Sequence, residues 1–295
     1  MTKLIFLIGP TAVGKSAAAI IMAEEFNAEI ISCDSMQIYQ GMKILSAQPN
    51  DDELKKVPHH LIAKLDPTEE YSASKFVKDA KELIKEISDR GKTPLFVVGT
   101  ALYFVSLVDG LFETPEIDPE IRKNIVPSHD KLKQVDPEAA GRIHPNDDFR
   151  IIRALEVFAA TGVPISKLRK ETTRGLKDDP QYEIEIYGLR RERAELYQRI
   201  NKRVEEMFAQ GIVEEVKALI AKPLSLAAKK ALGFSQIKKY LEDEYSRDEA
   251  AELLKRDTRH FARHQLIWFR KDKRIKWIDV KENITREGLL SSDSF

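Results

Sequence analysis

Short apolar runs alternate with stretches of helical period through the first third of the chain. Residues 4–8 (LIFLI), 30–33 and 95–98 (LFVV) are such runs, and residues 15–26 and 73–90 carry apolar positions at helical spacing between them. Strands alternating with helices of this length predict βαβ units and a parallel sheet. From about residue 113 to residue 179 the signals change to proline-punctuated, helix-like pieces with no convincing strand. Alternation returns at 183–187 (EIEIY) and at 275–280, so the sheet is expected to resume after a helical insertion. Amphipathic patterns over 191–210, 212–220, 233–244 and 248–271 predict long helices, and the residues from 287 onward read as a frayed tail.

Composition adds boundaries to this picture. A chain of 295 residues can bury a self-sufficient core, and its single cysteine, Cys33, excludes an internal disulfide or a multi-cysteine zinc cluster. The opening apolar run stops at Gly9-Pro10, too short for a membrane span and without the small-residue cleavage site of a signal peptide. A cytoplasmic protein with no membrane partner is expected. Lysine plus arginine (48) balance aspartate plus glutamate (48), yet residues 255–276 hold nine basic and two acidic residues, net +7, which leaves −7 on the rest. A second basic stretch lies at 190–203. Such asymmetry marks either a polyanion-binding face or a solvated helix surface.

The clearest chemical signal lies between the first strand and the first helix. Gly9, Pro10, Thr11, Ala12, Val13, Gly14, Lys15 and Ser16 fit G-x-x-x-x-G-K-[ST] in the strand-to-helix context that the mechanism requires. Glycines allow a tight turn so that backbone N–H groups and the helix N-terminus face an anion; Lys15 adds a point charge and the Ser16 hydroxyl can hold Mg²⁺. The expected fold class is therefore α/β: a P-loop NTPase-like parallel sheet flanked by helices over residues 1–113 and 180–295, with an all-helical insertion domain at 114–179. A nucleotide triphosphatase would show an acid after a later strand, but 95–98 runs into Gly99-Thr100. An acid does end the second strand, at Asp34. There a carboxylate can act as a base toward an attacking hydroxyl or amine, or it can merely cap a turn.

Read in order, the motifs GPTAVGKS (9–16), DSMQIYQGM (34–42), PHHLI (58–62), YSASKF (71–76), VGTALY (98–103), IHPND (143–147), RIIRALEVF (150–158), RINKRVEEM (199–207), ALGF (231–234) and RHQLIWFR (263–270) cover most of the chain. Together they resemble the bacterial tRNA dimethylallyltransferases, also called tRNA isopentenyltransferases. The resemblance implies transfer of a prenyl group from dimethylallyl diphosphate to N6 of the adenosine 3′ of the anticodon in tRNAs reading codons that begin with U. It implies that the loop, with Lys15 and Mg²⁺ on Ser16, grips the diphosphate, with Arg199 or Arg203 as a second clamp. Asp34 would take or orient the N6 proton, and Thr100 would donate to the oxygen bridging carbon and phosphorus.

The resemblance also places the RNA. Its contacts would come from Asp34, Ser35, Met36 and Gln37; from Phe149, Arg150, Ile151, Ile152 and Arg153; from Lys230, Ala231, Leu232, Gly233, Phe234 and Ser235; and from Arg263, His264, Gln265, Leu266, Ile267, Trp268, Phe269 and Arg270. Met36, Gln37, Tyr39 and Phe234 are candidates to line the channel for the extruded base. Arg256, Arg259, Arg263 and Arg270 make one basic stripe at helical spacing, beside Trp268 and Phe269, which either stack on bases or fill the core. His59 and His60 have no third metal ligand in sight and read as structural or diphosphate-adjacent. A monomer is expected.

Several positions depart from the family's usual form: Val98 and Ala101 in GGTGLY; Lys43, Leu45 and Gln48 in GMDIGTAKP, which lose an acid, a glycine and a lysine; and Ala63 and His264. Lys15, Ser16, Asp34 and Thr100 all remain. The competing readings are a small-molecule or nucleoside kinase, which leaves the basic helix unexplained, and a tRNA-binding homologue with impaired catalysis.

Overall fold

A computed structural model describes residues 1–112, 117–281 and 284–290. In chain order the first unit begins β1 (Thr2–Ile8), α1 (Lys15–Glu25), β2 (Ala28–Cys33), α2 (Asp51–Lys56), β3 (His59–His60), α3 (Ala73–Asp89), β4 (Thr93–Val98) and α4 (Ala101–Val108). The insertion follows as α5 (Pro119–Lys123), α6 (His129–Val135), α7 (Pro137–Ala140), α8 (Asp148–Thr161) and α9 (Ile165–Thr172). The first unit resumes with β5 (Tyr182–Arg190), α10 (Arg193–Gln210), α11 (Ile212–Ile220), α12 (Phe234–Leu241), α13 (Arg247–Phe269), β6 (Lys276–Asp279) and α14 (Arg286–Leu290).

Among the described residues six strands form one sheet in the order β3-β2-β4-β1-β5-β6, every neighbouring pair parallel. The predicted P-loop-type α/β fold is present. The apolar runs explain the central strands: Leu4 to Ile8 are fully buried one after another, as are Leu95 and Phe96, because helices cover both faces. Phe6 on β1 stacks on Phe96 of β4 at 4.7 Å, which locks the register Phe6↔Phe96 beneath the site. On α1, Ala18, Ala19, Met22 and Ala23 are buried, and the three alanines let the helix lie close to the sheet.

Local sequence chemistry sets the helix ends. The Ser72 side chain accepts from Lys75 N at the start of α3, and Ser246 with Glu249 forms a reciprocal capping box at the start of α13. The buried face of α3, Phe76, Ala80, Leu83, Ile84 and Ile87, follows helical spacing.

The insertion is helical, as the proline-rich pattern predicts, but its compact unit spans Val105–Asp179 rather than 114–179. The reason is a stem: Leu111 bridges Arg174, and a Cβ on Gly175 would lie 2.2 Å from Val108 O, so the entering and leaving chains pack on each other. Its own core is built from Leu132, Ala154, Leu155, Val157 and Ile165.

Three elements differ from the sequence-based expectation. β3 is two residues long and owes its state to pairing with β2. Residues 101–108 form a helix that the sequence reading did not name. Part of the expected frayed tail forms α14, whose Leu289 is 2% exposed in the main core; residues 291–295 lie outside the described residues. No helix among the described residues is long and apolar enough to cross a membrane.

Candidate active site

The carboxyl ends of β1, β2 and β4 converge on one cleft, as expected where a parallel sheet changes winding direction. Each end contributes one part. β1 runs into the glycine-rich loop, in which Ala12 (φ 63) and Gly14 (φ 111) both take left-handed backbone. The first bond of α1 runs from Ala18 N to Gly14 O at 3.2 Å, so the amides of residues 15–17 lie ahead of it at the helix's electropositive end.

Lys15 Nζ folds back over this loop and donates to Gly9 O (2.8 Å) and Pro10 O (3.0 Å). Desolvation lowers its pKa to about 8, with Asp34 opposing the shift and Arg203 adding to it. At the end of β2, Asp34 Oδ1 accepts from Met36 N (2.8 Å) and Gln37 N (3.4 Å). Burial raises the Asp34 pKa, while the Met36 amide and the Lys15 charge hold it down. At the end of β4, Thr100 Oγ1 accepts from Ser35 N (3.0 Å) and donates to Ser35 Oγ (3.1 Å).

Gly99 is what lets these strand ends approach. A Cβ built there would stand 2.0 Å from Asp34 Oδ2, and the two next nearest heavy atoms also belong to Asp34. The glycine is required by the acid beside it.

Basic side chains from the segment after β5 hold the loop from above. Arg203 Nη1 donates to Thr11 Oγ1 (3.2 Å), Arg199 Nε to Ala12 O (2.9 Å) and Arg191 Nε to Val13 O (2.8 Å). Arg199 and Arg203, expected as clamps, face the same cleft as Lys15; Arg191, with a side chain 1% exposed and paired to Glu195, is spent on shaping the loop. Gln265 supplies a further brace from α13: its Oε1 accepts from Thr11 N (2.8 Å) and its Nε2 donates to Gly99 O (2.8 Å).

Two cavities meet at Asp34. A polar one of about 430 Å³ is lined by Thr11, Lys15, Ser16, Arg199, Lys202 and Arg203, and an apolar one of about 580 Å³ by Met36, Leu45, Ala101, Val204, Met207, Leu254, Phe261 and Trp268. Asp34, Gly99, Arg203 and Gln265 border both. No cluster of three metal-ligating side chains exists among the described residues. The exposed Ser16 hydroxyl and the Asp34 carboxylate instead suit an ion that keeps most of its water and arrives with a phosphorylated ligand.

Residues 37–272 match the family model described as IPP transferase, and residues 2–66 match that of isopentenyl transferase. The chain belongs to the IPP transferase family. The tRNA dimethylallyltransferase of Carboxydothermus hydrogenoformans is 48% identical to it over 96% of this chain and 94% of the relative. Among solved structures, the tRNA isopentenylpyrophosphate transferase of Bacillus halodurans superposes with a TM-score of 0.74 at 35% identity, covering 99% of this chain and 94% of the other. A eukaryotic dimethylallyltransferase acting on tRNA superposes with a TM-score of 0.81 at 27% identity, covering 95% and 74% respectively.

The positions at which the chain departs from the family's usual form lie at unequal distances from the cleft. Val98 is fully buried in the sheet, and Lys43 is exposed and paired with Asp51 at 2.7 Å. Ala63 serves the backbone, donating its N–H to Gln37 O. Ala101, Leu45 and His264 line the apolar cavity.

The segments expected to touch RNA divide by burial. Exposed are Phe149 and Arg150 in the insertion, and Lys230, Ser235, Arg263, His264, Ile267, Trp268 and Arg270 in the first unit. Ile151, Ala231, Gly233, Phe234 and Gln265 are interior, which corrects the expectation that their side chains present themselves to RNA, and Phe269 takes the core-filling one of its two readings. Helix rotation turns Ile151, Phe234, Gln265 and Phe269 inward, while Ala231 and Gly233 lie in the turn before α12; Phe269 meets Trp268 edge-on at 6.2 Å. Leu266 is partly buried against the main core; Leu232 lines the apolar cavity; Ile152 and Arg153 are half-buried, the latter paired with Glu156 at 3.2 Å.

Of the channel candidates, Met36 lines the apolar cavity and Gln37 the polar one, where its amide is held by Ser32 Oγ and Ala47 O. Tyr39 and Phe234 are buried and line neither. In the stripe, Arg259 is half-buried and donates to Asn201, whereas Arg256, which donates to the neighbouring Asp257, Arg263 and Arg270 are exposed. His60 binds the buried Glu29 at 2.7 Å and His59 pairs with Val57 O, so both histidines are structural.

Proposed function

We propose that this protein transfers a dimethylallyl group from dimethylallyl diphosphate to N6 of the adenosine 3′ of the anticodon, in tRNAs reading codons that begin with U, acting as a cytosolic monomer. The observation that carries the reading is the single carboxylate, Asp34, at the junction of an anion-binding cavity and an apolar one. A kinase would pair its phosphate loop with a polar acceptor pocket; here the surface that the neighbouring chamber presents is mostly apolar, with Met36, Leu45, Val204, Met207, Leu232, Leu254, Phe261 and Trp268 in its wall. The names of the relatives and of the solved neighbours support the same substrates.

In this mechanism the loop amides, Lys15, Arg199 and Arg203 bind the diphosphate and offset the charge that grows on it as the allylic C–O bond breaks. Ser16 is the residue that would hold a Mg²⁺ arriving with the diphosphate, and such an ion would supply further positive charge for the leaving group. The bond's electron pair departs with the diphosphate while the N6 lone pair forms the new C–N bond. The N6 proton passes to Asp34, whose raised pKa suits a base that must accept it. Thr100 turns its hydroxyl from Ser35 to the bridging oxygen. Arg263, Trp268 and Arg270 receive the RNA at the cleft's mouth.

The test is incubation with Mg²⁺, dimethylallyl diphosphate and unmodified tRNA, followed by mass spectrometry of the nucleosides. A gain of one prenyl mass is expected, with Asp34→Ala slowing transfer by about 10² to 10⁴ while retaining tRNA. ATP consumption against a small acceptor without prenylation would instead make the protein a kinase, and tRNA retention with neither reaction a binding homologue.

A further inference from the structure

The apolar cavity grades from an open side to a closed one. Phe261 (43% exposed) and Trp268 (40%) stand at its rim, whereas Leu45, Val204, Met207 and Leu254 are buried. A base delivered on a large RNA must enter at the rim, which leaves the closed end for the donor's hydrocarbon tail.

What closes that end is a loop, residues 42–47, clamped by one distant carboxylate. Glu215 on α11 accepts from Ile44 N through Oε2 (2.8 Å) and from Leu45 N through Oε1 (2.7 Å). Both oxygens are used, so the loop cannot shift without unpairing a partly buried acid. Behind the loop lies a third cavity of about 510 Å³, lined by Lys43, Ile44, Ala47 and Met207 among others. With that space beside it, the wall is held by the Glu215 clamp together with the burial of Met42 and Leu45. In front, the Leu45 side chain fills room left by Gly233, where a Cβ would lie 3.1 Å from Leu45 Cδ1.

We propose that Leu45 is the specificity-determining residue that limits the length of the prenyl donor, and that Glu215 is the positioning residue that holds it in the chamber wall. The inference rests on the transfer reading above. Its test compares kcat/KM for dimethylallyl and geranyl diphosphates on one tRNA. Leu45→Ala raises the geranyl-to-dimethylallyl ratio by about tenfold or more, the scale on which a pocket reads added methylenes. Glu215→Gln, whose amide can accept only one of the two N–H groups, moves the ratio in the same direction. The volume-keeping Leu45→Met leaves it within about twofold, by the same scale. Should Leu45→Ala fail to fold, Leu45→Val gives the comparison with a smaller shift. An unchanged ratio in a folded Leu45→Ala or Leu45→Val overturns the proposal. If the wild type prenylates no tRNA, the transfer reading falls, and calorimetric affinities of the two diphosphates without tRNA still judge Leu45 by the same ratio.

Discussion

Gly99→Ala is the substitution in which one added methyl group should separate catalysis from stability. Its Cβ would stand 2.0 Å from Asp34 Oδ2, and ordinary contact begins near 3.4 Å, so the carboxylate oxygen must retreat by about 1.4 Å. The backbone at Gly99 does not require positive φ, and the nearest obstacles all belong to Asp34. The cheapest response is rotation of Asp34 away from the Met36 and Gln37 amides. Overpacking of this kind costs about 1–3 kcal/mol, or a fall in Tm of several degrees for a chain of this size. A displacement of about 1 Å at a catalytic group costs about 10²-fold in rate. The expected result is therefore a folded protein whose prenyl transfer, followed by nucleoside mass spectrometry, is about a hundredfold slower, with tRNA retention intact. The double variant supplies the sharper check. With Asp34→Ala already present the clash with the carboxyl group is gone and only a 3.3 Å approach to the Cβ of residue 34 remains, so adding Gly99→Ala should cost no further rate and should recover most of the lost Tm. A Gly99→Ala enzyme within threefold of wild type, or losses that simply multiply in the double variant, would refute the argument that Gly99 exists to make room for Asp34.

Two further outcomes follow from the same geometry. Because the Lys15 pKa is lowered to about 8, the affinity for inorganic diphosphate, measured by calorimetry, should weaken as pH rises through that value. The free protein should show the opposite trend: between about 8 and the ordinary 10.5 the unfolded lysine keeps a proton that the folded one has lost, so stability rises with pH, a contribution absent from Lys15→Met. On α13, Arg263→Ala should weaken tRNA binding and flatten its salt dependence by about one charge. Gln265→Ala, two positions on, should leave the salt slope unchanged and lower Tm instead, because it strips partners from Thr11 N and Gly99 O.

The contrast between Arg263 and Gln265 shows where reading from sequence reaches its range. Both sit in one basic segment and both read as RNA contacts. The spacing placed Arg263 on the stripe correctly, and nothing local distinguished the glutamine that turns inward to brace a loop 254 positions away. Arg191 escaped notice for the same reason: it belongs to a basic stretch, and only its bond to Val13 O shows that it shapes the loop. Glu215 carried no signal beyond an acid in an amphipathic helix. Gly99 was visible as a missing acid, yet its role depends on Asp34 lying beside it on the neighbouring strand. Tyr39 and Phe234 are apolar rings next to motif residues, so burial and channel lining were equally legible for them.

By itself the sequence determined the features that are written in contiguous or periodic residues. Apolar runs specified the strands, helical spacing and capping residues the helices, prolines the change to an insertion, and one short motif the anion-binding loop, because backbone conformation and local burial respond to near neighbours. The tertiary structure decided which face of each helix turns inward, which distant side chains meet at Asp34, and how the chamber beside it is closed. Those depend on the rotation and register of packed elements, and a difference of two positions along one helix exchanges an exposed arginine for a buried glutamine.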